Sequence, residues 1–170
     1  LFTYEGSGTL FTLGDYCRVE RLGIDDFEQV GRLISRGQRE GYLKTRSPEE
    51  LIEILLNGYG ATIGAHQLAG VCALVTEPYR REKAGEIVAV STITRFKGEG
   101  VGGRLVSRVL SDAREMGLRY ACACTTESGA QAFFERQGFV SVSRNRVPRS
   151  KWAGYDPARL ARVKVYRRDI

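Results

Sequence analysis

The run Lys97-Gly98-Glu99-Gly100-Val101-Gly102-Gly103-Arg104-Leu105 constrains this chain more than any other stretch. It follows an apolar, β-branched run, Glu86 to Thr94, and opens a helical pattern in which Val101, Leu105, Val109 and Ala113 recur every four residues. Glycines allow a tight turn and let a ligand approach backbone N–H groups. A helix N-terminus adds unpaired donors and a partial positive charge. Strand, glycine turn and helix together suit a phosphate group. No Gly-Lys-Ser/Thr closes the run, which excludes a Walker A loop. Three successive strands precede it and no acidic residue ends a following strand, which disfavours a doubly wound dinucleotide fold.

The rest of the chain reads as an alternation around that turn. Leu13 to Leu22 predicts a first strand. Asp25-Asp26 opens a helix with Phe27, Val30, Leu33 and Ile34 on one face. Ser47-Pro48-Glu49-Glu50 starts a second helix with a capping box and an early proline; Leu51, Ile54 and Leu55 form its apolar face. Tyr59 to Ala65 and Gln67 to Thr76 predict a hairpin around His66, and Glu77 to Gly85 a charged connection. Glu86 to Thr94 predicts a central strand. Arg119 to Thr126 predicts another strand, Ala130 to Gln137 a helix stopped by Gly138, and Val140 to Val147 and Arg162 to Tyr166 the last two strands. The order is β-αα-βββ-α-β-α-ββ, a mixed α/β chain without repeats.

Composition limits the function classes. The 170 residues are 42% hydrophobic and 27% charged, an ordinary globular balance that can support one core. No apolar run reaches the roughly 20 residues of a membrane span. Four scattered cysteines and one histidine give no metal-ligand spacing, so buried reduced thiols in a cytoplasmic protein are expected, with no metal. The net charge of +6 is concentrated: Val140 to Ile170 holds nine Lys/Arg against Asp156 and Asp169. That bias admits nucleic acid, an anionic small ligand or a solvated basic face.

The glycine loop in this element order resembles the acetyl-CoA loop of the GNAT acetyltransferase superfamily, Arg/Gln-x-x-Gly-x-Gly/Ala. Arg95 to Gly100 fits that form literally, and Lys97 to Gly102 fits it with Lys in the first place; the second register is preferred because it places Leu105 at the family's helix leucine. Ala130-Gln131-Ala132-Phe133-Phe134-Glu135-Arg136-Gln137-Gly138-Phe139 resembles the superfamily's second motif. Over almost the whole chain the sequence is similar to the C-terminal acetyltransferase domain of the N-acetylglutamate synthase family. The matching blocks are Leu1 to Thr9, Gly41 to Ser47, Gly85-Glu86-Ile87, Cys124-Thr125-Thr126, Phe134 to Phe139, and Pro148 to Lys151 with Tyr155 and Arg159.

The resemblance implies a GNAT fold over residues 13–170, a mostly antiparallel central sheet flanked by helices. Residues 1–12 are then the remnant of a preceding domain or linker. The only methionine is Met116, so the chain is expected to be a fragment, with an upstream amino-acid-kinase-like domain in the full protein and homo-oligomers open to it. The implied reaction is acetyl transfer from acetyl-CoA to the α-amine of L-glutamate, the first step of arginine synthesis. No nucleic acid or membrane partner is implied.

Roles follow by position. Glu86 matches the general base and Thr125 the hydroxyl acid at a strand end; Phe134 stands where many GNAT enzymes carry an acidic tyrosine. Gly98, Gly100, Gly102 and Gly103, with Lys97 and Arg104, match the pyrophosphate cradle. Backbone around Val90 and Thr92 would face the thioester. Arg46, Lys151 and Arg159 match the cations for two acceptor carboxylates, a task suited to arginine's planar fork. Ala161 and Thr45 depart from the family's common residues. Two alternatives stay open: a different amine acceptor, and a non-catalytic acyl-CoA-binding or regulatory domain.

Overall fold

A computed structural model describes residues 17–41, 43–64, 67–93 and 98–170. The anticipated start of the first strand, the 12/13 boundary, His66, Arg95 and Lys97 lie outside the described residues. The first strand, β1 (Cys17–Arg21), leads into α1 (Phe27–Arg39) and α2 (Pro48–Leu56). Val30, Leu33 and Ile34 of α1 are buried as the helical spacing requires, while Phe27 stays partly exposed. Helix α2 begins where the sequence marks it. Ser47 accepts from the Glu50 N–H, and Glu50 reaches back to the Ser47 N–H.

Next come β2 (Gly58–Ile63), β3 (Gln67–Val75) and β4 (Ala84–Thr92), then α3 (Val101–Glu115), β5 (Tyr120–Thr125) and α4 (Ser128–Arg136). The chain closes with β6 (Val140–Val142), the short α5 (Pro157–Arg162) and β7 (Lys164–Asp169). The strands form one seven-stranded sheet in the order β1-β2-β3-β4-β5-β7-β6, and β4 is its middle strand. Only the β4–β5 pair is parallel. This is the mixed, mostly antiparallel architecture anticipated from the sequence.

Three local differences have physical causes. The strand expected over 140–147 stops at Val142, because Arg144–Arg146 turns in a 3-10 helix and Val147 folds inward beside Cys122 and Val165. The charged connection after β3 is also a 3-10 helix, Glu77–Glu82, which buries Tyr79. Helix α5 adds to the expected order; Asp156 accepts from the Arg159 N–H and Pro157 fills its first turn.

The sheet separates two cores. On one face α3 and α4 pack Val101, Leu105, Val109, Ala113, Phe134 and Phe139 against Ile87, Ala121 and Ala123. On the other, α1 and α2 cover β3 and β4 through Val30, Ile34, Ile54 and Val71. The C-terminal segment covers β5 and β7 on that second face through Val147, Cys122 and Val165. A seam remains between these two covers, above the head of β4.

Candidate active site

Strand β4 is irregular at its centre. Val71 pairs with Ser91 and Ala73 with Val88, so β4 carries one residue more than β3 between these pairs. Ala89, in that interval, has φ 55, the left-handed region that L residues seldom enter. Such a bulge bends a strand and re-aims its backbone. Pairing between β4 and β5 runs only from Ala84↔Tyr120 to Ile87↔Ala123. Beyond Ile87, β4 continues through Val90 to Thr92 without β5 as a neighbour. The two parallel strands therefore splay and expose a β4 edge.

The glycine turn lies at the end of that edge. Gly98 and Gly100 have φ of 94 and 79, and Gly100 is the residue preceding α3. A β-carbon at either would meet no atom within 4 Å, so the turn's outer side is open. The first intrahelical bond is Arg104 N–H to Gly100 O, which leaves the N–H groups of Val101, Gly102 and Gly103 without helical acceptors. Gly102 serves close packing instead: a β-carbon there would lie 3.1 Å from the Phe133 ring. A concavity of about 820 Å³ follows the flank of α3 and is lined by Arg18, Gly103, Arg104, Ser107 and Gln137.

Glu86 sits at the head of β4 on the seam face, opposite Cys122 in the β4–β5 register. Its side chain is 12% exposed. The Tyr79 hydroxyl donates to Glu86 Oε2 at 2.7 Å. The Lys151 ammonium donates to Glu86 Oε1 and is itself buried. Desolvation works to lower the lysine pKa, but the charge and hydrogen bond of Glu86, with Cys124 and Cys122 beside it, together hold Lys151 above its usual value. Burial first, then the Glu86 charge, raises the Tyr79 hydroxyl well above the phenol range, so it remains a donor. The Lys151 ammonium lies 5.5 and 5.8 Å from the Trp152 and Tyr155 ring centres. Burial pushes the Cys124 thiol up to about 12.

The other expected cations gather at the same seam. Arg46 precedes α2, its side chain is 9% exposed, and its buried Nε has no hydrogen-bond partner. Burial lowers its pKa, opposed by the charges of Glu50 and Glu86, and it also feels Arg159. Arg159, on α5, donates through Nε to the Tyr155 hydroxyl at 3.3 Å. Thus Glu86, Lys151, Arg46 and Arg159 are brought together.

Thr125 is not part of that group. Strand alternation places it with Ala121 and Ala123, on the α3–α4 face. Its oxygen accepts the Glu127 N–H at 3.0 Å, and it lies two residues past the last β4–β5 pair. Tyr79 is the site residue that sequence reasoning missed. It lies in a segment with no periodic pattern, and only its tertiary contact with Glu86 distinguishes it.

Among the described residues no cluster of three His, Cys, Asp or Glu could hold a metal, and no helix is long and apolar enough to cross a membrane. The family model of the acetyltransferase (GNAT) family matches residues 28–139, and the chain belongs to that family. Its curated relatives include the amino-acid acetyltransferase of Serratia proteamaculans, 31% identical over 163 residues, and that of Salmonella typhi, 30% identical over the same length. Each match covers 96% of this chain but only 36% of the relative. Among solved structures, N-acetylglutamate synthase from Neisseria gonorrhoeae, complexed with coenzyme A and N-acetyl-glutamate, superposes with a TM-score of 0.79 at 22% identity. It aligns with 92% of this chain and 35% of its own. A Mycobacterium tuberculosis protein solved with CoA gives 0.71 at 20% identity, over 90% of this chain and 99% of its own.

Proposed function

We propose that this domain transfers acetyl from acetyl-CoA to the α-amine of L-glutamate. The observation that carries the reading is the placement of Glu86: a carboxylate 12% exposed on the seam face, at the mouth of the β4–β5 splay, with Arg46 near enough to feel its charge and Arg159 close to Arg46. The open Gly98–Gly100 turn and the first-turn N–H groups of α3 suit a pyrophosphate. Arg104, in the first turn of α3, adds charge at the same end; the Lys97 role stays with the sequence resemblance. Acetyl-CoA, when bound, supplies the activated acyl group as a thioester. The exposed β4 edge from Val88 to Thr92 would hold its arm through backbone groups and offer N–H donors to the oxyanion.

The proton steps divide between the two faces of the sheet. On the seam face Glu86 takes a proton from the acceptor ammonium, directly or through a water. The freed amine nitrogen bonds to the acetyl carbon and gives up its second proton to solvent, the carbon–sulfur bond breaks, and the sulfur leaves as thiolate. On the α3–α4 face the Thr125 hydroxyl gives the departing sulfur its proton and is reprotonated from solvent. Its lone pair already receives the Glu127 N–H, which fixes the oxygen. Arg46, Arg159 and Lys151 form the cationic wall for the acceptor carboxylates. Ala161, where the family often has a hydroxyl residue, supports a second reading in which another amino acid is the better acceptor.

The test is Glu86→Gln. A drop of about 10²–10⁴-fold in turnover with unchanged acetyl-CoA affinity fits the base role; unchanged turnover removes it.

A further inference from the structure

We propose that Tyr79 is a positioning residue for Glu86, fixing the plane of its carboxylate. This rests on the assignment of Glu86 as the base. A glutamate's terminal torsion is soft, so a lone carboxylate at a strand head samples many orientations. Here each oxygen has its own donor from a different segment. Tyr79, from the β3–β4 connection, bonds Oε2, and Lys151, from the C-terminal segment, bonds Oε1. The two segments are tied to each other, since the Ser150 hydroxyl donates to the Pro78 carbonyl at 3.3 Å. Tyr79 is 5% exposed and packs with Val75, Ala84 and Tyr120, so its ring cannot drift. Two anchored donors leave the carboxylate's remaining lone pairs turned to the seam. A hydrogen bond to the charged form also opposes its protonation.

Tyr79→Phe removes one oxygen and keeps the ring's packing. The expected result is a fall in kcat of roughly tenfold or more, the factor a hydrogen bond to a charged group carries. The acidic limb of the kcat/KM profile should move to higher pH, with acetyl-CoA affinity and acceptor KM unchanged. A difluorotyrosine at position 79 alone, a stronger donor, should move that limb the opposite way; it also carries the test if the phenylalanine variant fails to fold. Wild-type kcat and an unmoved limb in the folded variant, or no shift with the fluorinated residue, would overturn the proposal. If Glu86→Gln is inactive while these profiles do not move, only the Tyr79 role falls; if Glu86→Gln keeps full turnover, the base assignment itself falls.

Discussion

At the scale of single residues, the Glu86–Lys151 pair dominates. Both side chains are nearly out of water, at 12% and 6% exposure. Removing one partner of a buried pair strands the other charge, which typically costs about 3–5 kcal/mol. Lys151→Met should therefore lower unfolding stability by about that amount. Adding Glu86→Gln should recover much of the loss, because no unpaired charge remains; a urea-denaturation double-mutant cycle measures the coupling. Alkaline pH probes the same seam. The folded values of Lys151, Tyr79 and Cys124 are all raised, so each favours the folded state below its unfolded value, and that contribution fades as pH rises through the folded one. For Cys124 the window runs from the ordinary thiol value of 9.0 to about 12. The urea midpoint should decline over that range, and Cys124→Ala should decline less.

At the scale of elements, function depends on one irregular strand and one turn. Ala89 sits in the β3–β4 bulge, two residues past the last β4–β5 pair, at φ 55 and 5% exposure. A β-branched side chain pays more in this conformation, so Ala89→Val should destabilise by about 1–3 kcal/mol and weaken acetyl-CoA binding. Ala89→Gly should do neither, and equilibrium unfolding with cofactor titration separates the two variants. Gly100→Ala meets no steric block but strains the left-handed φ of 79. It should raise the KM for acetyl-CoA, with kcat at saturation little changed. These elements show what a sequence can and cannot reveal. The turn, the Ser47 capping box and the buried face of α3 follow from local patterns, and the positions of Glu86, Arg46 and Arg159 from the family resemblance. The splay does not, because it arises from a register difference between β3 and β4 and from where β5 stops pairing. Tyr79 escaped notice for the same reason: its meaning lies in a contact made across the fold. The separation of Thr125 from Glu86 follows from strand alternation, but only once the faces of β4 and β5 are known.

At the scale of the molecule, two of the nine cations in residues 140–170, Lys151 and Arg159, reach the seam. Both proposed ligands are anions, so a positive field should speed their capture and be screened by salt. The apparent KM values for acetyl-CoA and for a dicarboxylic acceptor should rise with ionic strength, while that for a neutral acceptor should move less. The central claim is that the seam joins an acetyl thioester to an acidic amino acid. A thiol-release assay with acetyl-CoA and each common amino acid tests it most directly. The account predicts CoA release that depends on glutamate and is lost in Glu86→Gln; no release with glutamate, or equal release with neutral and basic amino acids, would contradict it.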